Sequence, residues 1–165
     1  MPELTHLQTP LASPEATTRL AQRLAPRLVA GDCILLQGPI GAGKSHFARA
    51  LIEARLAAQG LSEEVPSPTF TLVQTYGDGL AEIWHADLYR LNGPADIDEL
   101  GLWEAFDSAI CLVEWPDRLG AYAPQNALNL EFGPTAKPGE RLVRLSFCAP
   151  VWHDRLKGLA LQDGD

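Results

Sequence analysis

The tightest constraint on this chain is one short run, Gly38-Pro39-Ile40-Gly41-Ala42-Gly43-Lys44-Ser45, which fits the pattern G-x-x-x-x-G-K-[ST]. Such a loop works only between a strand and a helix. Cys33 to Gln37, just before it, is an apolar run and reads as a buried strand. Lys44 to Gln59, just after it, reads as a helix stopped by Gly60. The glycines let the backbone curl so that several N–H groups point inward. With the start of a helix behind them, those dipoles suit a di- or triphosphate. Lys44 supplies a mobile positive charge for the β- and γ-phosphates, and Ser45 offers a hydroxyl to Mg²⁺. His46 follows directly and falls beside the phosphates. The expected nucleotide contacts are therefore Gly38, Pro39, Ile40, Gly41, Ala42, Gly43, Lys44, Ser45 and His46. A chance match in this length arises about once in two hundred sequences. Lysine is also scarce, at Lys44, Lys137 and Lys157 alone.

The rest of the chain supplies the layers around this unit. Ser13-Pro14-Glu15 has the form of a helix start, and Leu20, Leu24 and Leu28 follow at helical spacing, with Pro26 bending or shortening the helix. Leu61 to Pro68 reads as a loop. Thr69 to Tyr76 and Leu80 to Tyr89 read as a hairpin around Gly77-Asp78-Gly79. Asn92 to Phe106 reads as a loop with one or two short helices. Ala109 to Trp115 is a further buried strand, and Ala127 to Phe132 and Arg141 to Phe147 alternate as later strands would. The tail from Val151 to Leu161 is compatible with a short helix at the periphery. The expectation is an α/β fold, a P-loop NTPase-like three-layer sandwich with a mixed central sheet, with residues 1–165 forming a single domain.

A phosphate loop needs an acid at the end of a neighbouring buried strand, to hold Mg²⁺ directly or through water. Two segments end that way: Ala109 to Glu114, and Ile83 to Asp87. A carboxylate at the mouth of a core strand is costly unless paired or metal-bound, so Glu114 and Asp87 are each either site groups or members of a structural salt bridge. The loop Val65-Pro66-Ser67-Pro68-Thr69-Phe70 is stiffened by prolines and carries hydroxyls able to reach a γ-phosphate, as a nucleotide-sensing segment would; a rigid turn into a strand is the other reading. His85 is either a base or a packed histidine. Trp84, Trp103 and Trp115 read as core, with Trp115 also at the site edge.

Composition sets limits. With 13 basic and 21 acidic residues the net charge is −8, which argues against a free-standing nucleic-acid binder. If nucleic acid enters the biology, a partner holds it. No apolar stretch is long enough to span a bilayer, and the N-terminus lacks the features of a secretory signal. The three cysteines lie in apolar runs without metal-binding spacing, as buried thiols in a reducing cytoplasm would.

The phosphate loop, then Ser67-Pro68-Thr69-Phe70, then His85-Ala86-Asp87-Leu88-Tyr89-Arg90, then Val113-Glu114-Trp115-Pro116, in that order in a chain this short, resembles the TsaE family. These are bacterial P-loop ATPases of tRNA threonylcarbamoyladenosine biosynthesis. The resemblance covers roughly residues 10 to 147. It implies a Mg²⁺-dependent ATPase of low activity in isolation, acting with TsaD and TsaB and meeting tRNA only within that assembly, in the cytoplasm. By position it implies Ser45 and Glu114 as Mg²⁺ ligands and Lys44, Asp87, Glu114 and Thr69 as catalytic. It also places Glu15 to Thr17 and Gly139 to Arg141 at the border of the adenine. Three positions depart from the family pattern: Ser45 stands where Thr is usual, Pro39 where an acid is common, and Ala86 where an aromatic is usual. Two other readings stay open. A small-molecule P-loop kinase needs a lid with arginines, and Asn92 to Phe106 holds no Arg or Lys. A nucleotide-dependent scaffold would keep Lys44 and Ser45 without needing Asp87 or Glu114.

Overall fold

The computed structural model describes residues 3–68 and 71–164. Its first strand is β1 (Thr5–Leu11). Helix α1 (Pro14–Leu24) follows, capped by Ser13, whose side chain accepts from the Ala16 N–H, with Pro14 at its first position. A short 3₁₀ turn over Ala25–Arg27 ends it where Pro26 stands. Strand β2 (Cys33–Gln37) leads through the glycine loop into α2 (Lys44–Ala58). The hairpin is β3 (Val73–Gly77) and β4 (Glu82–Asp87). Two short helices, α3 (Pro94–Ile97) and α4 (Leu102–Ser108), lead to β5 (Ile110–Glu114). Then come β6 (Leu128–Pro134), β7 (Arg141–Phe147), α5 (Val151–Arg155) and the two-residue β8 (Gln162–Asp163).

All eight strands form one mixed sheet in the order β3-β4-β5-β2-β6-β7-β1-β8. The centre is parallel: β2 pairs with β5 on one side and β6 on the other, and β4 with β5. The flanks are antiparallel. Helices cover both faces. One core cluster joins Ile34, Leu36, Ile83, Leu112 and Leu130 to residues of α1 and α2, and the other joins Cys33, Leu35, Ala86, Cys111 and Val113 to α3 and α4. This two-sided burial is why β2 and β5 read as unbroken apolar runs. Strands β6 and β7 alternate instead: Leu128, Leu130, Phe132, Val143, Leu145 and Phe147 are buried, while Glu131 and Arg144 are exposed.

The structure corrects the sequence reading at four places. β1 was not expected. β3 starts at Val73 rather than Thr69, because Leu72 stands at φ 69 and turns the chain just before the strand. The returning strand is shorter than Leu80 to Tyr89. The tail is not peripheral: Trp152 is fully buried, Leu156 and Leu159 are buried beside it, and the Trp152 indole donates to the Asn126 carbonyl at 2.7 Å.

Candidate functional site

The strands β2, β4 and β5 run parallel, so Gln37, Asp87 and Glu114 all end at one edge of the sheet. Asp87 lies directly opposite Glu114 across the β4–β5 pairing, and Leu36 opposite Glu114 across β2–β5. Both acids face the side covered by α2, whose first residues are Lys44 and Ser45. The carboxyl ends of parallel strands are where ligands bind in sheets of this kind.

Two glycines set the loop's path. Gly38 has φ 143, and a Cβ there would lie 2.5 Å from the Phe132 carbonyl oxygen, so β6 leaves room for no side chain. Gly43 has φ 109 and caps α2 in the left-handed region. Between them Ile40 is exposed and Ala42 is buried. Lys44 is 5% exposed, donates to the Gly38 carbonyl at 2.5 Å, and stands over the Trp115 ring, 3.7 Å from its centre. Burial lowers the Lys44 pKa from its usual value, against the pull of Glu114, Asp87 and Asp117.

Ser45 Oγ donates to Glu114 Oε1 at 2.7 Å, and the other carboxylate oxygen, Oε2, lies 2.7 Å from His85 Nε2. Burial pushes the Glu114 carboxyl up. The hydrogen bonds from His85 and Ser45 and the Lys44 charge outweigh it, and the net position is below the usual carboxylate range. Asp87 is buried too, and its Oδ1 accepts from the Tyr89 N–H at 3.0 Å. These groups line a cavity of about 430 Å³ that also takes in Tyr89 and His46. A larger cavity, about 890 Å³, opens at the other end of the strands, by Gly31, Trp103 and Tyr122, and contains none of these groups.

The structure thus brings together Gly41, Gly43, Lys44, Ser45, Asp87 and Glu114. Pro39 lies just outside, in a neighbouring hollow with Phe132 and Arg144. His46 lines the cavity, but its ring turns toward α1, with Nε2 2.7 Å from Thr18 Oγ1 and 3.1 Å from the Pro14 carbonyl. Thr69 lies outside the described residues. The start of α1 approaches the loop through those His46 contacts, and Arg141 Nη2 donates to the Gly41 carbonyl at 3.5 Å, so both stretches expected at the adenine flank the loop. Sequence reasoning did not single out Tyr89, whose ring packs on Trp115 with centroids 4.9 Å apart. Its signal was an aromatic two positions after Asp87.

The donor set fits Mg²⁺. A serine hydroxyl and two carboxylates are hard oxygen donors, which this ion prefers. Among the described residues no three His, Cys, Asp or Glu side chains group closely enough to hold a metal unaided. An ion here would complete its shell with phosphate oxygens and water, as Mg²⁺ commonly does.

A strand, a glycine loop and a helix on a mixed sheet, backed by a hydroxyl and a buried acid, define a P-loop NTPase-like architecture. A crystal structure of Bacillus subtilis YdiB superposes with a TM-score of 0.76 at 26% identity, covering 96% of each chain. The family model "Threonylcarbamoyl adenosine biosynthesis protein TsaE" matches residues 11–143, and the chain belongs to the TsaE family. Relatives named tRNA threonylcarbamoyladenosine biosynthesis protein TsaE include one from Rickettsia conorii, 43% identical over 65% of this chain and 59% of its own length. One from Bacillus subtilis is 35% identical over 72% of each. The chain spans about three fifths of the length of that Rickettsia conorii relative and of one from Rickettsia felis.

Proposed function

We propose that the chain binds ATP with Mg²⁺ at the loop between β2 and α2 and hydrolyses it as the ATPase component of the tRNA threonylcarbamoyladenosine machinery, acting with TsaB and TsaD in the cytoplasm. The observation that carries this reading is the Ser45–Glu114 contact at 2.7 Å, directly behind the glycine loop. A scaffold that only senses nucleotide has no need of a second buried acid, and here Asp87 lies opposite Glu114 on the next strand.

Each group has a task. The loop N–H groups and Lys44 hold the β- and γ-phosphates, and Lys44 would leave the Gly38 carbonyl to do so. Ser45 and Glu114 would hold the Mg²⁺, which when bound neutralises charge developing on the phosphate oxygens. Asp87, beside them, orients the attacking water. Among the described residues no helix is long and apolar enough to cross a membrane. The net charge of −8 disfavours direct contact with RNA, so tRNA is met only within the assembly.

The test is single-turnover ATP hydrolysis by the chain alone and with TsaB and TsaD, beside titration of labelled tRNA with ADP or a non-hydrolysable ATP analogue. Slow turnover alone, faster turnover with partners and nucleotide-dependent partner affinity support the reading. Tight tRNA binding by the isolated chain, or partner affinity equal with either nucleotide, overturns it.

A further inference from the structure

Glu114 has two oxygens, and each has its own protein partner: Ser45 Oγ at Oε1 and His85 Nε2 at Oε2, both at 2.7 Å. His85 is fully buried on β4, opposite Leu112 of β5, on the same face as Asp87 and Glu114. An ionised carboxylate only accepts hydrogen bonds, so the ring nitrogen facing it carries the hydrogen. The other ring nitrogen, Nδ1, is buried and has no hydrogen-bond partner among the described residues. A hydrogen on Nδ1 would be an unsatisfied buried donor, a costly arrangement. The ring's single satisfied donor therefore points at Glu114.

We propose that His85 is a positioning residue: its Nε2–H fixes one oxygen of Glu114 so that the other stays turned toward Ser45, beside which it would hold Mg²⁺. The terminal torsion of a glutamate is broad and poorly restrained by itself. A buried imidazole, held between paired strands, restricts it to one setting. Outer-shell partners of this kind typically contribute about 10–100-fold to metal affinity. The inference rests on the nucleotide and Mg²⁺ reading above, and it gives β4 two tasks: Asp87 at its end and the clamp on Glu114 two residues earlier.

Glutamine can place its amide nitrogen where His Nε2 lies, whereas asparagine reaches only as far as Nδ1. The experiment compares His85→Gln with His85→Asn, and with His85→Leu as a second variant without a donor at that position. Mn²⁺ uptake by the protein–ADP complex is read by electron paramagnetic resonance, ADP affinity is measured in EDTA, and folding is followed by thermal melting. We expect His85→Asn and His85→Leu to weaken Mn²⁺ binding at least about tenfold while ADP affinity in EDTA stays within about twofold. His85→Gln recovers most of the loss. Equal losses in all three folded variants, unchanged Mn²⁺ binding, or a parallel fall in ADP affinity without metal overturns the positioning role. Failure of the unaltered protein to take up ADP overturns the nucleotide reading itself.

Discussion

Lys44 Nζ stands 3.7 Å from the centre of the Trp115 ring while it donates to the carbonyl of Gly38, at the start of its own loop. Trp115 reaches this position through a left-handed backbone at φ 58, directly after Glu114 leaves β5. The lysine is thus held by one element from each side of the cavity. Lys44→Ala removes the cation that faces the phosphates. ATP affinity or turnover should fall at least tenfold, about 1.4 kcal/mol, by calorimetry and phosphate release. Near-normal binding and hydrolysis together would refute the assignment of the loop.

Glu114→Gln keeps the shape and removes the charge beside Ser45. Hydrolysis should fall by about a hundredfold or more, while nucleotide binding partly survives on the loop N–H groups. Asp87→Asn serves as the paired measurement. If Glu114→Gln turns over normally and Asp87→Asn does not, the two acids have exchanged roles.

The Arg55–Asp78 pair joins α2 to the hairpin turn far from the loop. Arg55 donates to Asp78 at 2.8 Å and to the carbonyls of Ala25 and Leu28, and both side chains are buried. Asp78→Ala would strand a buried guanidinium and should cost about 3 kcal/mol in urea unfolding. Nucleotide affinity should change little.

The same carboxylate sets an acid limit. Burial pushes Asp78 up, but the N–H groups of Ala81 and Leu80 and the Arg55 guanidinium hold it below its usual value. A carboxyl lowered in the folded state contributes stability that is full above its unfolded pKa, about 4, and is lost as pH falls through the folded value. Stability should therefore decline below about pH 4, and Asp78→Asn should flatten that decline. Denaturation midpoints between about pH 3 and 6 check the sign.

Trp152 tests the tail. It is fully buried against the main core, so Trp152→Ala should cost about 3–5 kcal/mol. Unaltered urea stability after removal of residues 151–165 would contradict that packing.

The parts legible in the sequence are those whose signal is local. The loop, its strand and its helix lie within one window, and β2 and β5 are apolar throughout because both their faces are covered. Strand β1 was hidden because Pro10 interrupts it and only Leu11 is buried. It exists through its pairing with β7. The His85–Glu114 contact was equally hidden. It depends on β4 lying parallel beside β5 in one register, a tertiary fact that no spacing within either segment encodes. His46 was placed by its neighbour Ser45, whereas its ring answers to Thr18 and Pro14 on another helix.

Strand β1 carries a consequence for synthesis of the chain. Thr5 pairs with Phe147, and Leu11 with Arg141, so β1 finds its main partner only after β7 has been translated. At about 5–20 residues per second that wait is roughly 7–27 seconds. Strands β2 and β5, with α1 and α2, can assemble earlier, and β1 is then threaded onto an existing edge. Pro10, which cannot donate to a ladder, sits in the strand that stands unpaired through that interval. The residue that concealed β1 in the sequence is thus also a guard against its pairing with another nascent chain.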